Sequence, residues 1–316
     1  MSDPSTSGKL RALSASLRLP NLPSVWSNAL TGAIFACLIL DGGLDDLAKL
    51  PWALVMASCL YFAGNLLNDW KDQRWDASHR PERALPSGVF SPGLYLGIAI
   101  LLLLTAMGLA AAINPPALAV CAALTAAIII YTWCHKLTAW SVIPMALCRA
   151  LLPCLGFFVC SSRWDRLEWI AVPALMLFIY LILLSLRARS ESRANSPAAM
   201  SLLSAVGFLL PPAIIAIWWY YPHAWTQALL VCLASAIPYL IWLGLTLTRY
   251  RKPVSRQVSA LLAGIPLVDS LFLLPYLIMG YLHLPDLPAA PVIALAMAWL
   301  PCFILGRMLQ RYVPAT

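Results

Sequence analysis

Long apolar stretches, separated by short polar loops, run along the chain from Val25 almost to its end. A helix of about 20 apolar residues crosses the hydrocarbon core of a bilayer, and lipid offers no hydrogen-bond partner to exposed backbone, so each stretch is expected to be helical. The ten stretches are 25–40, 51–70, 92–112, 115–133, 139–160, 168–187, 199–220, 225–247, 258–281 and 289–308. The pattern predicts an all-α, polytopic transmembrane bundle of nine or ten spans. The count depends on 139–160, where Pro144, Arg149 and Pro153 could break the helix.

The composition agrees with a membrane-embedded chain. Of the 316 residues, 61% are apolar and only 11% are charged, whereas a soluble domain averages about 25% charged residues. Because no long linker interrupts the stretches, we expect one transmembrane domain over 25–312, after a cytoplasmic segment, 1–24, and before a short tail, 313–316. In the first segment, Leu10 and Leu13 recur at helical spacing beside basic residues. This favours an amphipathic helix on the membrane surface, with a disordered tail as the alternative.

The net charge of +8 reflects membrane topology rather than a nucleic-acid partner, because the charges lie in short loops between spans. Cytoplasmic loops of membrane proteins carry an excess of Lys and Arg. With the N-terminus in the cytoplasm, three loop cations fall on the opposite side, namely Lys49, Arg163 and Arg166. Seventeen fall on the cytoplasmic side: Lys9, Arg11, Arg18, Lys71, Arg74, Arg80, Arg83, Lys136, Arg187, Arg189, Arg193, Arg249, Arg251, Lys252, Arg256, Arg307 and Arg311. This asymmetry predicts that both termini are cytoplasmic.

Neither cysteine nor histidine is spaced as a metal ligand. The nine cysteines lie mostly within apolar stretches and form no C-x-x-C pair, so they indicate small buried side chains and neither a zinc site nor disulfides. The four histidines, His79, His135, His223 and His283, lie near the ends of the stretches. We expect them at the membrane interface.

The stretch most informative about chemistry follows the second apolar segment. Asn68, Asp72 and Asp76 are spaced i, i+4, i+8, so on a helix they form a column of oxygen atoms along one face. Such oxygens suit Mg²⁺, which is usually held by one or two carboxylates together with substrate phosphates. Arg80 and Arg83 follow and could bind the oxygens of a diphosphate. The alternative is a solvated cluster of mixed charges at a helix end.

These residues resemble a motif of the UbiA family of intramembrane prenyltransferases. The family carries N-x-x-x-D-x-x-x-D after its second span, followed by a segment similar to R-P-x-R-P-L-P-S-G. Here Asn68, Asp72 and Asp76 match the first part, and 80–88 matches the second except for Ala84, where the family usually has proline. Further residues also resemble the family. They are Arg18 and Asn21 before the first span, Asn28 within it, Tyr131, Lys136 and the stretch 145–149.

The resemblance implies a UbiA-like bundle with a lateral, lipid-facing cavity in a bacterial inner membrane. It implies that Mg²⁺ is held by Asn68, Asp72 and Asp76 against a prenyl diphosphate, with Asp72 and Asp76 as catalytic residues. The prenyl group, or a related diphosphate-activated group, would pass to a small acceptor after the allylic C–O bond ionises. By the same resemblance, the substrate-binding residues are Asn28, Arg80, Arg83, Tyr131, Lys136 and Arg149.

The chain departs from the family at a second motif, typically D-x-x-D-x-x-x-D after the sixth span. The corresponding stretch, 184–193, has one carboxylate, Glu191, and three arginines. Arg189 could neutralise phosphate charge in place of a metal, with Glu191 orienting it or binding the one ion. Alternatively the arginines are ordinary loop charge, or catalysis is lost and the protein binds or moves a lipophilic precursor. Together with Gly264–Asp269, this variant resembles a divergent UbiA-like branch of Ebo-type bacterial gene clusters for secondary metabolism.

Two further charged residues lie well inside the apolar stretches, away from their ends. Arg149 and Asp269 would each cost about 2.5–3.5 kcal/mol at a helix centre on insertion scales, so both should face the bundle interior or water. They either line the cavity or form an interhelical contact. The D-G-x-x-A-R pattern of CDP-alcohol phosphotransferases is not found, and no inverted repeat indicates a transporter.

Overall fold

The computed structural model describes residues 6–39, 44–136, 139–189, 205–223, 226–283, 293–295 and 297–312. Within these ranges the regular structure is helical, with no strand, which confirms the all-α prediction. The principal helices are α1 (Thr6–Ser16), α2 (Leu22–Ile39), α3 (Leu50–His79), α4 (Pro92–Ile113), α5 (Pro115–Cys134), α6 (Val142–Cys160), α7 (Leu167–Arg189), α8 (Leu210–His223), α9 (Thr226–Thr248), α10 (Val254–Ala263), α11 (Ile265–His283) and α12 (Trp299–Leu309).

Many of these helices can cross a bilayer. Among the described residues, seven stretches are long and apolar enough by length and composition: Asp46–His79, Pro92–Ile113, Pro115–Cys134, Val142–Cys160, Trp164–Arg189, Thr226–Thr248 and Val254–Ile278. Shorter apolar helices cover Ala205–Trp219 and Ile293–Leu309. A polytopic membrane bundle is therefore confirmed. The count of nine or ten spans, the orientation and the domain limits stay predictions.

Helix α3 is longer than the apolar stretch that predicts it. The stretch ends at residue 70, whereas the helix continues without a break to His79. Its 30 residues extend for about 45 Å, against about 30 Å of hydrocarbon. The helix therefore projects beyond the hydrocarbon at one end, and Asp72 and Asp76 lie on regular helix, as the spacing predicts.

Helices α2 and α6 cross in close contact. A Cβ on Gly32 would lie 1.8 Å from the carbonyl oxygen of Pro153, and a Cβ on Gly156 would lie 1.8 Å from that of Ala29. Two glycines therefore allow backbone to pack on backbone. Although Pro153 lies inside it, α6 is one continuous helix over Val142–Cys160. The helix break that the sequence left possible in 139–160 therefore does not occur.

A different predicted stretch is divided. The apolar run 258–281 falls on two helices, α10 and α11, which meet at Gly264. The backbone N–H of Gly264 bonds the carbonyl oxygens of Ala260 and Leu261 and so ends α10. The chain therefore bends two residues before Pro266, and α11 packs against α2 and α7.

Packing of α2, α6 and α11 forms the centre of the bundle. Phe35, Phe157 and Phe272, one from each helix, are fully buried, and the ring centroids of Phe35 and Phe272 lie 4.9 Å apart. The helices α3, α5 and α7 all end on the same side of the bundle. We call this side the motif end. The polar groups described next lie there or on the first turns of α2 and α6 below it.

Candidate active site

A polar stripe runs along α3 toward the motif end. Tyr61, Asn65, Asn68, Asp72 and Asp76 fall within about 80° of one another around the helix axis. We call the last three the aspartate column. Their exposed fractions are only 6% for Asn68, 7% for Asp72 and 2% for Asp76. The alternative of a solvated charge cluster is therefore wrong, because the column faces protein and not bulk water.

The stripe borders a cavity of about 470 Å³. Its apolar lining includes Leu60, Leu124, Ile128, Val142, Leu152, Leu181, Leu184 and Leu262. Its polar lining includes Arg18, Asn21, Tyr61, Asn65, Asn68, Arg80, Arg83, Tyr131, His135, Ser141, Arg149, Ser185 and Arg189. Five of the described lining residues are arginines and none is a carboxylate. A cavity of this kind suits a ligand with an anionic head and an apolar body.

The carboxylate of Asp72 is held by a lysine and a histidine beyond the end of α5. Lys136 Nζ lies 2.8 Å from Asp72 Oδ1, and His135 Nε2 lies 3.0 Å from Oδ2. The ring of His135 lines the cavity and contacts the column, a contact that the sequence does not predict, while its expected position at the membrane interface stays a prediction. Lys136 pairs with Asp72, and its expected contact with substrate stays a prediction.

Arg83 neutralises the other two aspartates at this end of α3. Its Nη1 lies 2.9 Å from Asp76 Oδ2 and 3.6 Å from Asp69 Oδ1. Asp69, which is 8% exposed, also lies 3.7 Å from Arg18 Nη2. The sequence predicts no role for Asp69. It predicts Arg18 only as one of the residues that resemble the family.

Arg18 is fixed at the cavity by its backbone as well as its side chain. It adopts φ 48° and ψ 48°, the left-handed region that a side chain disfavours. Tyr61 donates a hydrogen bond to its carbonyl oxygen at 2.9 Å, and Arg18 Nη1 donates to Asn65 Oδ1 at 3.2 Å. The local sequence signal for this turn is Pro20 directly after Leu19, which starts a short 3-10 helix.

Comparison with known proteins identifies the family of this chain. The model of the UbiA prenyltransferase family matches residues 29–265, which is most of the chain and includes α3 and the cavity walls. The chain belongs to the UbiA prenyltransferase family. Together with its apolar helices, this makes it an integral membrane protein.

Curated relatives match a shorter part of this UbiA-family chain. The digeranylgeranylglyceryl phosphate synthase of Methanospirillum hungatei is 37% identical over 86 residues, 27% of the chain and 30% of that relative. The synthase of the same name from Methanopyrus kandleri is 34% identical over 105 residues, 33% of the chain and 38% of the relative. The matches thus span about a third of the length of each relative.

A solved structure shares the fold over nearly the whole length. A structure from work on digeranylgeranylglyceryl phosphate synthase in membranes aligns with 94% of this chain and 98% of its own, at 16% identity and a TM-score of 0.51. At that identity the likeness shows the fold alone. The assignment to the Ebo-type branch stays a prediction.

The end of α7, where UbiA relatives carry the second motif, brings Arg189 to the cavity. Arg189 donates a hydrogen bond to Ser141 Oγ and a longer one, 3.5 Å, to the carbonyl oxygen of His135. Arg187 points elsewhere and donates to Gln257 Oε1 at 2.7 Å. Glu191, predicted to orient Arg189 or bind an ion, lies outside the described residues.

The remaining predicted residues divide between the cavity and its surroundings. Arg80, Tyr131 and Arg149 line the cavity. Asn28 is fully buried and donates to Asp269 Oδ2 at 2.8 Å, so it lies behind the wall. Both alternatives for the interior charges are realised, because Arg149 faces the cavity while Asp269 makes an interhelical contact.

The oxygen set of the column fits Mg²⁺ held jointly with phosphate. Asn68 Oδ1 and Asp76 Oδ1 are buried and have no hydrogen-bond partner among the described residues. Unpaired buried acceptors cost about 1–3 kcal/mol each, and a cation coordinated at either position would satisfy the oxygen there. Within the described ranges, no group of three or more His, Cys, Asp or Glu side chains could enclose a metal. Any metal bound by the column would therefore need further ligands from a bound molecule or from water.

Proposed function

We propose that the protein is a Mg²⁺-dependent intramembrane transferase that moves a prenyl group, or a related diphosphate-activated group, onto a small acceptor. The observation that carries the proposal is the pair of unpaired buried oxygens, Asn68 Oδ1 and Asp76 Oδ1, beside a cavity lined by five arginines. Membership of the UbiA family supports it. The names of the partial relatives, which describe a prenylated lipid phosphate, support it too.

In this proposal, different residues around the cavity bind the prenyl diphosphate and promote its ionisation. Asn68, Asp72 and Asp76 would hold Mg²⁺, which supplies positive charge against the diphosphate as the allylic C–O bond breaks. Arg80, Arg83 and Arg189 bind phosphate oxygens and stabilise the charge that develops on the leaving diphosphate. The leucines and Ile128 of the lining exclude water from the allylic cation until the acceptor attacks its C1.

The proposal also includes where the reaction takes place. The motif end faces the cytoplasm of a bacterial cell, where soluble diphosphates and Mg²⁺ are present, and the prenyl chain lies among membrane lipid. The support for this orientation is the excess of Lys and Arg in the loops on that side.

Substitution of the column tests the proposal. Membranes containing the Asp72→Asn variant are supplied with Mg²⁺, prenyl diphosphates of increasing length and a lipid extract as a source of acceptor, and released diphosphate is measured. Loss of a charge that stabilises the transition state should lower the rate at least about 100-fold. Asp165→Asn is the matched control, because Asp165 is an exposed carboxylate that pairs with Arg163 away from the cavity. Full turnover by Asp72→Asn would reject the role of the column.

A second candidate is a UbiA-like protein that binds or moves a lipophilic precursor without turnover. Two observations favour it: both oxygens of Asp72 already contact protein side chains, Lys136 and His135, and arginine replaces carboxylate at the end of α7. Saturable, Mg²⁺-dependent binding of a prenyl thiodiphosphate by the wild type, without diphosphate release from any prenyl diphosphate, would select this candidate.

A further inference from the structure

Six basic residues fall at, or directly next to, the adjoining ends of α9, α10 and α12. We call them the basic cluster, and they are Arg249, Arg251, Lys252, Arg256, Arg307 and Arg311. Gln257, on the first turn of α10, accepts a hydrogen bond at 2.7 Å from Arg187 near the end of α7. The basic cluster therefore lies on the same side of the bundle as the motif end.

The basic cluster has no acidic partner. The sequence contains neither Asp nor Glu over 192–268 or over 287–316, which include all three of these helices and their loops. Within the ranges that the structure describes, none of the six side chains forms an ion pair. The cations beside α3 differ, because they pair with Asp69, Asp72 and Asp76. The six charges are thus uncompensated, in a chain whose net charge is +8.

Aromatic rings hold two of these guanidinium groups in place. The guanidinium carbon of Arg307 lies 5.1 Å from the centre of the Trp242 ring and 5.5 Å from that of the Tyr250 ring. That of Arg256 lies 5.1 Å from the same Tyr250 ring. Trp242 is itself anchored, since its Nε1 donates to the carbonyl oxygen of Ala260 at 3.0 Å. Contact with a ring positions a guanidinium but leaves its positive charge available to an anion.

Both arginines also keep hydrogen-bond donors. Arg307 donates from Nη1 to Gln310 Oε1 at 2.9 Å, and Gln310 donates in turn to the carbonyl oxygen of Ser259 at 2.9 Å. Among the described residues, the other N–H groups of the Arg307 guanidinium and all those of Arg256 have no acceptor. Because a guanidinium presents its donors in a planar fork that matches phosphate oxygens, the two side chains suit a phosphate group.

The surroundings of the basic cluster favour a lipid over a soluble anion. No member of the cluster is among the described residues that line the cavity. Toward these ends, α9 and α12 carry exposed apolar side chains, namely Ile241, Leu245, Ile304 and Met308. In a membrane protein, such faces contact acyl chains, while cations and aromatic rings at the helix ends lie at the level of the headgroups. A phospholipid can use both features at once.

We propose that the basic cluster, centred on Arg256 and Arg307, binds the phosphate group of an anionic glycerophospholipid from the leaflet at the motif end. The acyl chains of this lipid lie along the exposed faces of α9 and α12. The inference does not depend on the proposed function. It adds a lipid partner held outside the cavity, next to α10, whose Val258 and Leu262 line the cavity on the other side.

A comparison of lipids tests the site by binding alone. The full chain is purified in a neutral detergent, and the affinity for the first bound lipid is measured by native mass spectrometry. Phosphatidylglycerol is compared with phosphatidylcholine of the same acyl chains, in which choline neutralises the phosphate. We expect phosphatidylglycerol to bind at least about 10-fold more tightly, because charge-assisted contacts favour the headgroup with net negative charge.

Competitors distinguish a lipid from a soluble phosphate. Glycerophosphoglycerol, which is the same headgroup without its acyl chains, and inorganic phosphate are added to the protein with bound phosphatidylglycerol. Neither should displace the lipid when it is supplied at the same concentration as the lipid, because burial of the acyl chains contributes to the affinity.

Variants decide where the preference for phosphatidylglycerol arises. In the double variant Arg256→Gln/Arg307→Gln the preference should fall below about 3-fold. The matched control is Arg11→Gln/Arg74→Gln, which removes the same charge from two exposed arginines on α1 and α3 and should keep the wild-type preference. If the double variant does not fold, Arg256→Gln alone, at an exposed position, should still lower the preference at least about 3-fold.

Three results would overturn the site. The first is equal affinity of the wild type for the two lipids. The second is a loss of preference in the control double variant as large as the loss in Arg256→Gln/Arg307→Gln, since the attraction would then come from the total basic charge of the surface. The third is displacement of the lipid by inorganic phosphate or by the headgroup alone, which would make the cluster a site for soluble anions.

Discussion

The helices α3 and α7 both contribute to the cavity wall, and they end in groups of opposite charge. Helix α3 continues past the cavity lining to Asp72 and Asp76, whereas α7 ends at Arg189, which lines the cavity. We call these two helix ends the α3 wall and the α7 wall. The two meet at one residue, since His135 binds Asp72 through its ring and accepts a hydrogen bond from Arg189 through its carbonyl oxygen. The two walls therefore differ in how they depend on the cation concentration and the pH of the solution. Carboxylates need a cation to bind phosphate, while a guanidinium carries its charge at any physiological pH.

The family pattern, with aspartates on both walls, makes this contrast informative. A second carboxylate set would call for a second metal, and the described part of α7 supplies positive charge directly in its place. Under the proposed function, the chain therefore needs one Mg²⁺ at the α3 wall and none at the α7 wall. Substitutions on each side test that division.

The largest effect is expected at the α7 wall. In Arg189→Gln, affinity for a Mg²⁺–prenyl thiodiphosphate should fall about 10- to 100-fold, because a charge-assisted contact of roughly 1.5–3 kcal/mol is lost. Arg187→Gln is the matched control, since Arg187 neighbours it on α7 but donates to Gln257 away from the cavity. The affinity is measured by titration in nanodiscs.

An Arg189→Gln variant that binds as well as the wild type would show that the α7 arginines are ordinary loop charge. Equal losses in Arg189→Gln and Arg187→Gln would point the same way, because only one of the two side chains lines the cavity. Either result would remove the contrast between the walls.

A smaller effect of opposite sign is expected at the α3 wall. Lys136 lies 2.8 Å from Asp72, and under the proposed function it competes with Mg²⁺ for this carboxylate. In Lys136→Met, half-maximal thiodiphosphate binding should need about 3- to 10-fold less Mg²⁺, because a partly exposed ion pair contributes modestly. Lys71→Met is the control, since Lys71 lies over Trp133 and has no contact with the column. A requirement for more Mg²⁺ would mean that Lys136 orients Asp72 and does not compete.

How far the sequence predicts this site depends on the separation of the residues that meet. The column is predictable because its three members lie on one helix, where the 3.6-residue period fixes their common face. The apolar pattern predicts the helices for a similar local reason. His135 bonds Asp72 across 63 positions and Asn28 bonds Asp269 across 241, and no periodicity relates such residues.

The contact partners of Arg18 and Asp69 escape prediction in the same way. Their roles depend on how α1 joins α2 through a left-handed residue, and the sequence shows only charge near a span. The break at Gly264 is a further case, since Pro266 indicates a bend nearby but the capping contacts decide its position. Local pattern thus predicts the elements and one ligand column, while the cation partners and the interior network require the tertiary structure.

The smallest effect is expected at Ser141, which lies between the two walls. Its hydroxyl accepts from Arg189 and donates to the carbonyl oxygen of His135 at 3.2 Å, so it orients the guanidinium without carrying charge. In Ser141→Ala, thiodiphosphate affinity should fall only about 2- to 5-fold, because Arg189 keeps the carbonyl oxygen of His135 as an acceptor. Ser162→Ala, an exposed serine in a loop away from the cavity, should bind as the wild type does. A loss as large as that of Arg189→Gln would mean that the hydroxyl itself contacts the ligand, and the α7 wall would then be a serine and an arginine acting together.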